Sequence, residues 1–524
     1  MGIPFFFRYL SKKHNQKIID TFDDLSCDYL CLDYNSLIHR CAQQQSRVNY
    51  TREADLHDAV FARVVAYTRA IMQIVRPTHG TFLAIDGVPP LAKMYQQRNR
   101  RYMSVKEQAF KMQSRAPQQM SMWNASVVTP GTAFMKALST YLTKHLAGAD
   151  VVLSDWTAPD EGEHKIFRYL ADKKAGSDAV IYGLDADMIM LSLTHPETRI
   201  TLMREKEDLD VANPTTEDFD LVSIVKLGQL ITGGNGLTTQ AADDGIILDY
   251  IFICLLIGND FLPPLSYIQV LNDDIDRLLS VYGAVYAKAK RRIVRRERDA
   301  HGYHVDFELV RKLLTELKDG EDAGMVAACN MYSRKTVHAP DADTQWKYYP
   351  VMHKQVPINP SKRGWRGAYY GALFPDSPDV TRVVERYLEG LEWNVGYYLA
   401  NTNPANQWYY GHAYSPTILD CCNYLEANAN KVTLKRYPTP EITPAIQLMC
   451  VIPPASMSIV PKALARIYTD IKYGCVHLFP TDFAVDTFLK TFVWECHPRL
   501  APIDVDLIAK AVGDRAERNK KAAA

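Results

Sequence analysis

Four short apolar runs in the first 265 residues constrain the fold more than any other feature. They are Tyr29–Asp33 (YLCLD), Thr81–Asp86 (TFLAID), Asp150–Asp155 (DVVLSD) and Ala179–Gly183 (AVIYG). Each is too short for a helix and is rich in β-branched or aromatic residues. The segments between them have helical periodicity, which predicts alternating strands and helices around a mostly parallel sheet. In an open α/β sheet, ligands bind beyond the carboxyl ends of the strands. Every one of these runs has an acidic residue at or just after that end, so an acidic site is expected along one sheet edge.

Beyond the strands the texture changes. A polar, Gly-rich segment, Thr232–Gly245, leads into an apolar run, Ile246–Phe261, expected to be helical up to Pro263-Pro264 because the residue before a proline disfavours the α conformation. Residues 1–265 are therefore read as one unit, and 266–345 as a charged helical connector. Within the connector, Lys288–Arg298 holds seven basic residues and one acid. It is read as a helix whose charges face solvent, or alternatively contact a nucleic-acid backbone. Residues 346–524, rich in Tyr, Trp and Pro, form a second region of helices and long loops packed on the first. Lys520–Ala524 is expected to be disordered.

Lys plus Arg number 60 and Asp plus Glu number 60, so the formal charge is zero. That excludes a polycationic, sequence-independent nucleic-acid binder, which needs excess positive charge on its binding face. The longest apolar stretch, Tyr250–Ile257, is far short of the ~20 residues that span a bilayer. The ten cysteines include no C-x-x-C pair and read as reduced thiols in a cytoplasmic protein without a membrane role. Cys27, Cys31 and His39 as zinc ligands are the weaker reading, because Cys31 falls inside an apolar strand.

Seven acids stand out: Asp33, Asp86, Glu161, Glu163, Asp185, Asp187 and Asp260. Gathered in one pocket they could not all stay ionised without cations, because like charges and burial both raise a carboxyl pKa. Oxygen-only donors suit Mg²⁺, with Mn²⁺ as a substitute, and two such ions roughly 4 Å apart clamp both oxygens of an in-line phosphoryl displacement. The i,i+2 pairs Glu161/Glu163 and Asp185/Asp187 would diverge on a regular helix. They fit a first helical turn and a strand-end turn respectively.

Downstream of Asp86, Leu91–Met112 has helix-favouring composition without Gly or Pro. Lys93, Gln97, Arg100 and Arg101 lie at spacings that share one face. Two guanidinium forks and an ammonium suit a terminal phosphate; a solvated basic face is the plainer alternative.

Together these segments resemble the Xrn-type 5′→3′ exoribonucleases, whose fold is related to flap endonucleases and PIN domains. The resemblance is carried by MGIPFFFRYLSKKH (1–14), LDYNSLIHRC (32–41), AIDGVPPLAKMYQQRNRRY (84–102), VTPGTAFM (128–135), APDEGEHKI (158–166), YGLDADMIML (182–191) and LLIGNDFLPPL (255–265). It continues more loosely through LEGLEWNVGYY (388–398), WYYGHAYSPTILD (408–420), LMCVIPPASMSIVP (448–461) and FPTDFAVDTF (479–488). It implies that the seven acids bind metal and that Lys93, Gln97, Arg100 and Arg101 hold the 5′-monophosphate of single-stranded RNA. It also implies that His39 stacks on a terminal base with a tryptophan partner, Trp408 as first choice and Trp393 as second; a core role for His39, and for Trp393, is the plainer alternative. Two departures stand out: Asp160 replaces a usual Gly, and Asn406 replaces a usual Trp. The expected activity is two-metal hydrolysis of RNA to mononucleotides; a DNA flap nuclease and a non-catalytic RNA-binding scaffold are the alternatives.

Overall fold

The computed structural model describes residues 2–114, 122–146, 148, 150–183, 185–206, 213–233, 244–268, 274–296, 302–337, 345–377, 379–399, 408–434 and 441–523. Residues 234–243, Glu297, Arg298 and Asn406, which figured in the sequence reading, lie outside this set.

The four apolar runs form four adjacent strands of a seven-stranded sheet, from its middle to one edge. In chain order its strands are β1 (Ile19–Asp20), β2 (Tyr29–Asp33), β3 (Gly80–Ala84), β4 (Val151–Ser154), β5 (Asp178–Tyr182), β6 (Arg199–Glu205) and β7 (Phe219–Ser223). Their spatial order is β1-β7-β6-β5-β2-β3-β4. The five strands from β4 to β6 pair in parallel, while β7 and β1 close the far side antiparallel. The order reverses between β2 and β5, the switch point where open α/β sheets bind ligands. Register there is tight: Asp33 pairs with Ala84, Ala84 with Ser154, and Leu32 with Tyr182. The carboxyl ends of four strands are thereby brought to one line.

Alternation along the strands divides the core. Cys31, Phe82 and Ile181 join a large cluster that runs from Ile3 and Phe6 to Leu391, Trp393 and Phe488. Leu30, Leu32, Leu83 and Val180 face the opposite layer, under helix Glu53–Val75. The first cluster draws side chains from the 1–265, 266–345 and 346–524 stretches alike, so the C-terminal region packs directly on one face of the sheet. All ten cysteines are buried and free. No helix among the described residues is long and apolar enough to cross a membrane.

Three expectations are corrected. The apolar helix runs Asp244–Leu255 and does not reach Phe261; the chain turns through Gly258 at φ +91°, which leaves Asp260 on a turn. The basic run is not a helix. Val294–Arg296 is a strand, β8, paired with Tyr303–Val305, β9, and its arginines are engaged locally. Arg291 and Arg295 pair with Asp306, Arg292 lies 4.1 Å over Tyr286, and Arg296 lies over Tyr303. The last helix, Val505–Ala523, takes in most of the tail expected to be disordered.

One buried carboxylate ties the middle helices to the C-terminal region. Glu321, fully buried, accepts hydrogen bonds from Ser266 Oγ at 2.6 Å and the Ile418 N–H at 2.6 Å, and pairs with Arg366 at 2.8 Å. Removing it takes from Arg366 one of its two carboxylate partners, Asp322 at 2.8 Å remaining, and leaves the N–H groups that open helix Ile418–Asn428 without their acceptor. Glu321→Ala is therefore expected to lower stability by about 3–5 kcal/mol in denaturant unfolding; a loss below about 1 kcal/mol would contradict this role.

Candidate active site

The aligned strand ends gather the acids predicted from the sequence. Asp33 closes β2 and precedes helix Tyr34–Gln45. Asp86 follows β3. Glu161 and Glu163 open helix Gly162–Ala171, Asp187 opens helix Asp187–Leu193 with Asp185 on the turn before it, and Asp260 reaches in from the turn after helix Asp244–Leu255. Glu161, Glu163, Asp33 and Asp187 are all buried.

Gly162 makes the convergence possible. A Cβ there would lie 2.8 Å from the Ala84 carbonyl oxygen, 3.3 Å from Asp86 Oδ1 and 3.4 Å from Asp33 Oδ1. With glycine in place, its N–H donates to Asp86 Oδ1 at 2.7 Å. Asn35 Nδ2 donates to the other oxygen at 2.7 Å. Lys165, a residue not singled out in the sequence, donates its ammonium to the Ile85 carbonyl at 2.7 Å and the Asp155 carbonyl at 2.9 Å, which locks the ends of β3 and β4 together.

Burial and mutual repulsion leave these carboxyls hard to ionise. Desolvation, with the charges of Asp33 and Glu161, pushes Asp86 up to about 7. Desolvation and Asp260 push Asp187 up to about 6, and desolvation and Glu161 drive Glu163 well above the usual range. Asp33 rises through burial. Asp260 goes the other way: burial pushes it up, but positive charges, Lys93 and Arg100 among them, outweigh that.

Lys93 lies among the acids, its ammonium 2.6 Å from Glu161 Oε2 and 3.1 Å from Asp260 Oδ2. Burial opposes its charge, but Glu161 and Asp260 hold it firmly protonated. Of the expected phosphate-binding set it is thus the member nearest the carboxylates. Gln97 and Arg101 sit further along helix Leu91–Ser114: Arg101 donates to Thr129 Oγ1 at 2.7 Å and Gln97 Oε1 at 3.4 Å, and Gln447 Nε2 donates to Gln97 at 3.2 Å. Arg100 is exposed. His39 belongs to the same neighbourhood. Desolvation and the charges of Arg100 and Arg101 push it down to about 4, so at neutral pH it presents an uncharged imidazole.

Both tryptophan expectations are corrected. Trp393 is 0% exposed and Trp408 2%, and they stack on each other at 5.1 Å. Gly390 leaves room for the Trp408 indole, since a Cβ there would approach it to 2.6 Å. Neither ring offers a face to a base. They form the floor beneath the functional groups of the same helix, Val380–Leu399. Trp393 stacks on Tyr397 at 4.9 Å, and the Tyr397 hydroxyl donates to Glu161 Oε1. Tyr398 is pushed well up by burial and by Asp187 and Asp260 beside it. The motif LEGLEWNVGYY holds both tyrosines; only the fold shows that they meet the acids.

The site fits a divalent cation. Both oxygens of Asp187 are buried without a hydrogen bond of good geometry, the Tyr398 hydroxyl lying beside them. Donor atoms of Glu161, Glu163 and His164 lie within 4.8 Å of one another. A hard cation satisfies such oxygens and relieves their repulsion.

The sign of the pH dependence follows. Asp86 and Asp187 have folded values of about 7 and 6, above the unfolded range, so the metal-free folded state binds more protons between about pH 4 and 7. Their contribution to stability is full below that window and is lost as pH rises through it. A divalent cation takes the place of those protons. The rise in thermal midpoint on adding Mg²⁺ or Mn²⁺ is thus expected to be larger near about pH 8 than near about pH 5; equal gains at both would contradict the cluster.

Comparison with known proteins accords with this geometry. Residues 1–206 match a family model described as the XRN 5′-3′ exonuclease N-terminus, and residues 240–336 and 353–514 match one described as the Xrn1 helical domain. The human 5′-3′ exoribonuclease 1 is 25% identical over 98% of this chain, which spans 34% of that protein. A Drosophila melanogaster 5′-3′ exoribonuclease 2 homolog is 25% identical over 99% of the chain and is covered over 72% of its own length. The Kluyveromyces lactis 5′-3′ exoribonuclease 2 is 29% identical over 61% of the chain and is covered over 39%. By the two matches, which run from the strands that carry the acids through the helix that carries Tyr397, the chain belongs to the Xrn family of 5′-3′ exonucleases.

Proposed function

We propose that this chain is a 5′→3′ exoribonuclease that hydrolyses single-stranded RNA with a 5′-monophosphate end, one nucleotide at a time. The observation that carries the reading is the meeting of two opposite fields: buried carboxylates at the strand ends and, along the adjoining helix, the guanidinium groups of Arg100 and Arg101. An anionic substrate end is drawn to the second and brought up to the first.

Arg101, aligned by Thr129 and Gln97, grips phosphate oxygens with its planar fork. Burial and the charge of Arg100 push Arg101 down to about 9, outweighing the opposite pull of Asp86. His39, uncharged, would pack on a base without adding charge. Asp33, Asp86, Glu161, Glu163, Asp185, Asp187 and Asp260 would hold two Mg²⁺ or Mn²⁺ ions. Such ions, when bound, supply an activated water and stabilise the departing 3′ oxygen. Tyr397 fixes the Glu161 carboxylate, and the buried helix Val380–Leu399 keeps bulk water from that side of the cluster. Each cleavage exposes a new 5′-phosphate chemically identical to the last.

A time course on end-labelled RNA tests the reading. RNA with a 5′-monophosphate is expected to decay to mononucleotides with Mg²⁺ and to persist with chelator, while 5′-hydroxyl and 5′-triphosphate RNA decay slowly. Asp187→Asn should cut the rate by more than ~100-fold. Arg101→Ala should cost about 10- to 150-fold on the monophosphate substrate and narrow the preference for that end. Equal decay of all three RNAs, or preferential cutting of a DNA flap, would overturn it.

A further inference from the structure

A run of aromatic rings leads outward from the acids and has no part in the core. It starts at the N-terminal segment. Gly2 packs so closely on Asp187 that a Cβ would collide with that carboxylate, and Phe5 follows within about 11 Å of chain. The Phe5 ring centroid lies 6.1 Å from that of Trp494. Trp494 stacks with Phe492 at 5.8 Å and 11°, and Phe492 meets Tyr348 at 5.2 Å. Trp494 is 43% exposed, which is unusual for the largest apolar side chain.

The rings are held rather than loose. Trp494 sits in a single turn, Val493–Glu495. Its neighbour Val493 is buried, and the Glu495 carboxylate accepts the Thr491 and Phe492 N–H groups at 2.7 and 2.8 Å. Phe5, at φ +59°, and Leu489, also at +59°, both adopt the left-handed conformation. Bulky residues reach it only under strain, which the surrounding structure must sustain. Both segments that meet at the Phe5–Trp494 contact thus hold a strained residue.

Cations flank the ladder. Lys335, exposed, donates to Thr491 Oγ1 at 2.7 Å, on the turn that leads to Phe492, and exposed Lys347 adjoins Tyr348. Glu495, on the same turn as Trp494, is tied up by backbone N–H groups. Stacking faces interleaved with ammonium groups suit the alternating bases and phosphates of a single strand, whereas an apolar protein surface would gain nothing from the lysines.

We propose that Trp494, with Phe5, Phe492 and Tyr348, forms an outer stacking track for the bases of single-stranded RNA on the 3′ side of the cleavage site. The inference rests on the RNA reading above and adds a binding surface to it. A strand held by its 5′ end at Arg101, with its first phosphodiester at the acids, leaves the site past Gly2 and Phe5. The track holds the remaining strand by stacking, without reading sequence.

Affinities of the full chain for 5′-monophosphorylated oligoadenylates, with chelator present so that nothing is cleaved, test the track. Trp494→Ala should bind a dinucleotide as the parent does and a long oligonucleotide about 5- to 30-fold more weakly, while Trp494→Phe recovers most of the loss. Tyr348→Ala, at the outer end, should give the same length-dependent pattern and serves if the first variant folds poorly. Replacing Lys335 and Lys347 with Ala should flatten the salt dependence by roughly 0.7 for each phosphate no longer neutralised. If the parent binds long RNA and Trp494→Ala matches it, or loses dinucleotide and long RNA equally, the track is wrong and the proposed function stands. If the parent binds no RNA, the proposed function falls and takes the track with it.

Discussion

Crowding like charges at a buried sheet edge is costly, and much of this chain is arranged around that cost. Parallel register brings the ends of β2, β3, β4 and β5 into line, so acids placed there repel one another wherever water is excluded. The responses come from across the sequence. Gly162 and Asn35 each donate to Asp86, Lys93 lies between Glu161 and Asp260, and Tyr397 donates to Glu161 from more than two hundred residues away. The C-terminal region is therefore part of the electrostatics of the first. It supplies the hydroxyls that face the carboxylates and the apolar wall that raises their pKa values.

The parts of this design legible in the sequence are those with a local signature. Short β-branched or aromatic runs with acids at or just after their ends gave four of the strands, because a parallel strand covered by helices is apolar along most of its length. Helix Leu91–Ser114 could be read from its composition and from the spacing of its cations. By contrast, β1 has two residues and β7 is an edge-side strand, neither distinguishable from loop without its partner. The basic run misled because arginines have no apolar period of their own: among its described residues, Ile293 and Val294 are the buried anchors, and pairing with β9 decides its conformation.

Residues that act through long-range contact were the hardest to see. Nothing in the sequence around Gln447 or Thr129 shows that they meet Gln97 and Arg101, and nothing around Lys165 shows that it bonds two strand ends. The tryptophans illustrate the converse. A Trp beside aromatic neighbours reads equally well as a stacking platform or as core, and the difference lies in whether a small residue opposite makes room. Gly390 does so for Trp408, so the indole sinks beneath the site instead of facing it. Trp494 has no such recess and stays at the surface.

That contrast also explains how a chain with zero formal charge can hold a polyanion. Arginines that would make a broad basic surface are engaged where they stand, as Arg291 and Arg295 are in sharing Asp306. Arg100 and Arg101 stand beside carboxylates that call for cations of their own. Counterion release then contributes through few phosphates, and the salt dependence of binding should be shallow compared with that of a polycationic protein. Affinity has to come from end capture and from stacking, neither of which reads sequence. Under the proposed function, a surface of local ion pairs with an aromatic track would hold a strand loosely enough along its length for it to advance after each cut, while the end pocket would set the register.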